Sequence, residues 1–253
     1  MTRLKTDELK KLQHKKYRHQ FGCFLAEGEH LVLELQKAAA TNPALLESEL
    51  YVTHSYQDWV GPIKKTLINE KLMAQLSDTK SPQGIVACVP IEALQHCGRA
   101  ASTAARESQR AIYLFETQDP GNLGTIFRTL GWFGGFACLL SPGCVDPFNA
   151  KVVRASMGAV FHVPLELDVD LTTIASRYTN IASLDMHGSK LTCGAFHQAQ
   201  CLVFGNEARG VPREQLAAAD ARAFTIPGGG DLESLNVAAA VNMCLYELNR
   251  MGS

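Results

Sequence analysis

The sequence lacks any apolar run approaching the roughly 18 residues of a membrane helix, and Met-Thr-Arg-Leu-Lys-Thr-Asp-Glu at its start has no apolar signal-like stretch. A cytoplasmic location without membrane contact is the expectation. Also missing is any C-x-x-C pair: the eight cysteines (Cys23, Cys88, Cys97, Cys138, Cys144, Cys193, Cys201 and Cys244) are scattered, several inside apolar runs. They read as reduced, mostly buried thiols, so neither a disulfide frame nor a zinc site is expected, and no other metal-ligand spacing stands out. No G-x-G-x-x-G follows the first strand of the α/β pattern below, which argues against a dinucleotide oxidoreductase. Strong charge of one sign is absent too. A net charge of −1 speaks against a globally basic nucleic-acid binder.

The charge is unevenly spread. Residues 1–20 hold Arg3, Lys5, Lys10, Lys11, Lys15, Lys16 and Arg18 against only Asp7 and Glu8, with His14 and His19 beside them. Lys15, Lys16 and Arg18 are therefore candidate phosphate contacts, a solvated helix face being the alternative. The 253 residues, 46% hydrophobic and 19% charged, suffice for one large or two medium soluble domains. Phe24–His30 leads into a helical pattern over Leu31–Ala38 that ends near Asn42-Pro43; Leu50–Thr53 and Gly84–Val89 read as strands, with a second helix after Pro62. Residues 1–92 thus form a small α/β unit. From 93 to 109 the chain turns Ala-, Ser- and Arg-rich without apolar periodicity, the mark of a linker.

Over residues 110–253, strands at 111–115, 136–140, 181–186, 201–205 and 224–227 alternate with helices near 123–133, 147–157, 171–178, 212–218 and 236–249. Such alternation implies right-handed crossovers and an α/β domain with a mostly parallel sheet covered on both faces. Ligands collect at the carboxyl ends of such strands, where three polar clusters fall. In Asp119–Leu130, Asn122 suits the cap of the following helix and Arg128 projects from its second turn. Gly205-Asn206-Glu207-Ala208-Arg209-Gly210-Val211-Pro212 is a loop rich in ligand-binding groups, although Gly-Asn and Arg-Gly pairs also make plain turns. Ile226–Asn236 runs from a strand end through Gly228-Gly229-Gly230 into an amphipathic helix with Asn236 near its N-cap, gathering free backbone N–H groups at one point. A structural turn with a capped helix would look the same. Lys151–Ala159 adds Lys151, Arg154 and Ser156 close together, either a site or a solvent-facing helix end.

Taken in order, N-x-x-x-x-x-R after one strand, G-N-E-x-x-G after a later one and I-P leading to E-S-L-N-V before the last helix resemble the three motifs of the SpoU, or TrmH-like, branch of the SPOUT RNA methyltransferases. Lys151–Gly158 is similar to the family's Arg-Ser-x-Gly segment. The N-terminal part, through Lys10-Lys11-Leu12, Phe24–Gly28 and Ser81-Pro82-Gln83-Gly84, resembles the L30e-like RNA-binding domain often fused in front. The resemblance covers nearly the whole chain.

This resemblance implies S-adenosylmethionine-dependent 2′-O-methylation of a ribose in structured RNA, with ribosomal RNA favoured over tRNA. It implies a deep C-terminal trefoil knot forming the cofactor pocket, an exception to the rule against threaded chains. Gly205, Asn206, Glu207, Ile226, Leu235 and Asn236 would surround the cofactor; Arg128, Asn122, Ser234 and Glu207 would serve catalysis at the interface of a homodimer; Arg154 would join the basic N-terminal residues in holding RNA. A permanently protonated arginine suits holding a phosphate and lowering the 2′-OH pKa better than literal base action. One departure stands out, since Gly228–Gly230 follows Pro227 where the family often has Met and fewer glycines. The rival function is a catalytically idle RNA-binding or assembly protein that keeps the fold.

Overall fold

The structure is a computed structural model describing residues 4–94, 109–231 and 234–250. The N-terminal part opens with α1 (Thr6–Lys11) and α2 (Lys15–Phe21), continues through β1 (Cys23–Glu27), α3 (Glu29–Thr41), β2 (Glu49–Val52), β3 (Lys64–Leu67) and α4 (Glu70–Leu76), and closes with β4 (Ile85–Pro90). Its sheet has the order β1-β4-β2-β3; β4 runs antiparallel to both neighbours and β3 is a parallel edge strand. The segment after Pro62 is thus strand first and helix only from Glu70. Lys64-Lys65-Thr66-Leu67 is largely exposed and has no apolar alternation to announce a strand, as suits an edge that must not pair with other chains. Of the expected linker, Ala93 and Leu94 are buried in the core, the Asn42 side-chain amide donates to the Ala93 carbonyl at 2.8 Å, and residues 95–108 lie outside the described residues.

The second part comprises β5 (Arg110–Leu114), α5 (Pro120–Phe133), β6 (Phe136–Leu140), α6 (Ala150–Ala155), β7 (Leu165–Glu166), α7 (Leu171–Arg177), β8 (Ile181–Lys190), α8 (Gly194–His197), β9 (Cys201–Phe204), α9 (Arg213–Ala218), β10 (Arg222–Thr225) and α10 (Val237–Arg250). All six strands pair in parallel in the order β10-β8-β9-β5-β6-β7. Successive side chains of a strand point to opposite faces, and on β5 both sets are buried. Ile112 and Leu114 join the core beneath α5, α6 and α10, whereas Ala111 and Tyr113 join the one beneath α7 and α9. The near-continuous apolar strands are therefore the mark of a sheet covered on both sides. β5 leads rightward to β6 and β7 while β9, β8 and β10 lie on its other flank, so the strand order reverses between β5 and β9.

The two parts share one core. The Phe24 ring of β1 lies 4.9 Å, centroid to centroid, from Phe148 and 6.4 Å from Phe161, and residues of both sheets belong to a single apolar cluster. Arg18 of α2 crosses this seam. Its guanidinium donates to an Asp146 carboxylate oxygen at 2.8 and 2.6 Å and to the carbonyls of Leu12 and Gln13, with the arginine 3% and the aspartate 8% exposed. Arg18 therefore does not face RNA, contrary to the expectation. With its donors turned inward it is a structural tie. Glu34 accepts from Lys37 at 2.6 Å within α3 and lies 3.1 Å from the His162 ring across the seam.

Candidate active site

The site forms where the strand order reverses, at the carboxyl ends of β5 and β9, as expected for an open parallel sheet. Asp119, not Asn122, caps α5: its carboxylate accepts from the Asn122 backbone N–H at 2.8 Å, and Pro120 fills the first turn, where a missing N–H costs nothing. Three residues into the helix, the Asn122 side chain is free for other partners. Its oxygen accepts from the Asn236 side-chain amide at 2.8 Å, and its nitrogen donates to Glu207 at 3.2 Å. One amide therefore joins the three polar segments. Asn236 in turn caps α10 as expected, accepting from the N–H groups of Ala238 and Ala239.

Asn206 organises the loop after β9. Its side-chain oxygen accepts from the backbone of Ala208 and Arg209, its amide donates to the Glu116 carbonyl at 2.8 Å, and its own backbone exchanges two hydrogen bonds with Gly210. Gly205 is needed here, because a Cβ would lie 2.2 Å from the Gly210 carbonyl carbon. Glu116, in the left-handed region at φ 49°, ion-pairs with Arg209 through its carboxylate, while its N–H donates to Ser141 Oγ at 2.8 Å. No motif points to Glu116, Ser141 or Asp146; Pro142-Gly143 and Asp146-Pro147 after β6 are local signals of a turn at this rim.

Around this frame Ile226 is half-buried, and Leu235, 51% exposed, offers apolar surface. Ser234 is exposed; Glu233 lies outside the described residues. Gly228–Gly230 are exposed and a Cβ at any of them would meet nothing, so packing does not demand glycine there. Arg128 stands on the exposed side of α5 with no ion pair among the described residues, one turn before Trp132, which is 84% exposed. On the neighbouring α10, Met243 and Tyr246 are also exposed, at 45% and 60%. Lys15 and Lys16 are exposed. Arg154 instead sits half-buried in the seam, 2.9 Å from Asp78. The structure thus brings together Asn122, Asn206, Glu207 and Asn236, and leaves Arg128 separate, facing solvent.

A glycine-tight loop, a capped helix start and an apolar shoulder around convergent polar groups can hold a small polar ligand with an aromatic or aliphatic part. Known proteins fill in the picture. The SpoU rRNA Methylase family model matches residues 109–246, and the MRM3-like substrate binding domain model matches residues 4–87. The 23S rRNA (guanosine(2553)-2′-O)-methyltransferase RlmP of Bacillus subtilis is 32% identical over 96% of this chain and 95% of its own length. Among solved structures, an RNA methyltransferase of the TrmH family from Porphyromonas gingivalis is 27% identical with a TM-score of 0.81, covering 99% of this chain and all of that one. An AdoMet-bound rRNA methyltransferase from Sinorhizobium meliloti is 26% identical with a TM-score of 0.76, covering 97% and 94%. By its motifs, its parallel six-stranded sheet and these likenesses, the chain belongs to the SpoU rRNA methylase family.

Proposed function

We propose that this protein transfers a methyl group from S-adenosylmethionine to a ribose 2′-OH of ribosomal RNA in the cytoplasm. The observation that carries the reading is the Asn122 junction, which draws the loop after β9 and the start of α10 onto the start of α5. The donor set fits the cofactor: Gly205 keeps the loop free of a Cβ, Asn206 fixes its curvature, Ile226 and Leu235 offer apolar surface for a purine, and Glu207 and Asn236 supply polar groups beside it. When bound, S-adenosylmethionine supplies an electrophilic sulfonium methyl.

The rest falls to the chain's own residues. A ribose 2′-OH is a weak nucleophile at neutral pH, so it must be placed in line and its developing negative charge stabilised as its proton leaves. Arg128, permanently charged and without an ion pair among the described residues, is suited to hold the adjoining phosphate and stabilise that charge. Ser234 and Asn122 would act on the entering nucleotide, as the family resemblance implies. Arg128 and Trp132 are exposed on α5, and Met243 and Tyr246 are exposed on α10, which packs against α5. Such a patch of large exposed apolar groups supports a homodimer in which the arginine serves the partner's site. The meeting of the loop after β9 with Ile226–Asn236 is also the place where the family's knot would lie.

The test is mass spectrometry of nucleosides from RNA of a strain lacking this gene, incubated with the protein and S-adenosylmethionine. One 2′-O-methylated nucleoside should appear with the wild type. With Arg128→Ala it should fall at least about a hundredfold, while calorimetry shows unchanged cofactor affinity. Equal loss of both would remove Arg128 from its role, and no product with the cofactor bound would leave an idle RNA-binding protein.

A further inference from the structure

The basic N-terminal residues surround an aromatic pair. Tyr17 and Phe21, one turn apart on α2, stack with ring centroids 6.0 Å apart and planes inclined by 16°. Phe21 packs against the core formed by Leu9, Leu12, Tyr51 and Met73, whereas Tyr17 lies outside it, half-buried, its hydroxyl without a hydrogen-bond partner among the described residues. The Lys11 ammonium lies 5.4 Å and the Lys16 ammonium 5.8 Å from the Tyr17 ring centroid, and the His14 ring meets it edge-on at 6.4 Å. Neither lysine has a carboxylate partner among the described residues, unlike Lys10, which is paired with Asp7. Two like charges gathered at one ring without a counter-ion repel each other, and a phosphate would relieve that repulsion. A purely structural tyrosine would bury its ring and satisfy its hydroxyl. This arrangement leaves a ring partly in water and holds two flexible cationic side chains over it.

From this geometry we infer that Tyr17, flanked by Lys11 and Lys16, is a stacking platform for an unpaired base of the RNA substrate, with the two lysines on its phosphate. Base-on-aromatic stacking beside a cationic groove is how unpaired nucleotides are held without sequence reading. The inference rests on the RNA-methylation reading and deepens it by assigning how the substrate is positioned. The platform is tied to the reaction centre. Arg18, the next residue, inserts into the seam and holds Asp146, in the segment following β6. That segment begins at Ser141, whose Oγ accepts from Glu116, and the Glu116 carbonyl accepts from Asn206. Through Arg18 the platform is thus joined to the segment after β6, which also meets Glu116 at the edge of the site.

The experiment uses the full chain and fluorescence anisotropy with two short labelled probes, an oligoadenylate and an abasic strand of equal length. Wild type should prefer the base-bearing probe. Tyr17→Ala should weaken that probe about tenfold and leave the abasic one unchanged, and Tyr17→Phe should behave as wild type. An unchanged melting temperature and cofactor affinity would show that Tyr17→Ala folds. Lys11→Gln should lower the salt dependence for both probes. Equal binding of the base-bearing probe by wild type and Tyr17→Ala, or equal loss on both probes, would overturn the platform. Methylation of ribosomal RNA is measured alongside: transfer without a Tyr17 effect would leave the reaction standing and the platform refuted, and a Tyr17 effect without transfer the reverse.

Discussion

Arg18 holds the seam between the two parts through its buried pair with Asp146. It is one of seven basic residues within the first twenty, and nothing local sets it apart, because its partner Asp146 lies 128 positions away. Among the described residues of that group, it is the buried one. Removing one partner of such a pair strands a desolvated charge, so Arg18→Met should cost about 3–5 kcal/mol in urea denaturation. Arg18→Met with Asp146→Leu should recover most of that loss. Asn122 is the opposite case. Its motif made it visible, but the expectation put it at the helix cap, where Asp119 stands, since either residue type serves as a cap and spacing alone cannot choose. Glu34 in the seam gives a pH dependence. Burial raises its pKa, but hydrogen bonds from Lys37 and His162 and their charges outweigh burial and leave it below its ordinary value of 4.5. A depressed native value means that the unfolded chain takes up the proton first, so Glu34's contribution is whole above about pH 4.5 and fades as pH falls through the native value. Wild type should lose more stability than Glu34→Gln between about pH 5 and pH 3, as thermal melts across that range would show.

At the scale of elements, the long periodic segments were legible and the short ones were not. α5 and α10 follow from apolar periodicity, and β5, β6, β8 and β9 from short apolar runs, because each buries enough surface to mark the sequence. β7 has two residues and β3 is an exposed edge, so neither carries a pattern to read. The α5–α6 crossing was equally hidden. A Cβ on Gly124 would fall 2.4 Å from the Ala155 Cβ and 2.7 Å from the Val152 carbonyl oxygen, so this glycine sets how closely the two helices meet. Helix propensity alone would make Gly124→Ala stabilising by about 1 kcal/mol, yet overpacking should win. We expect a net loss of about 1–3 kcal/mol in chemical denaturation and reduced transfer, since α5 carries both Asn122 and Arg128.

For the whole molecule, the sequence pattern led to an expectation of two parts joined by a linker, and carried no sign of how closely they join. Phe24 packing on Phe148 and Phe161, the Arg18–Asp146 pair and the Glu34–His162 contact make one body of them. Contacts between distant stretches leave no periodic trace in either stretch. The exposed Trp132, Met243 and Tyr246 on the paired helices α5 and α10 belong to this scale too. Trp132→Asp combined with Tyr246→Asp should convert a dimer to a monomer in sedimentation and abolish methyl transfer, with the melting transition of the fold retained. A monomer of undiminished activity would show that each chain completes its own site.

The tie between Arg18 and Asp146 also bears on how the protein is made. At about 5–20 residues per second, a ribosome that has just added Arg18 needs on the order of 6–25 s to reach its partner. For that interval the nascent amino-terminal half holds an arginine with no carboxylate to meet it and a Phe24 face with nothing to cover it. That half can be fully synthesised and still unfinished, and its completion waits on the arrival of the segment after β6.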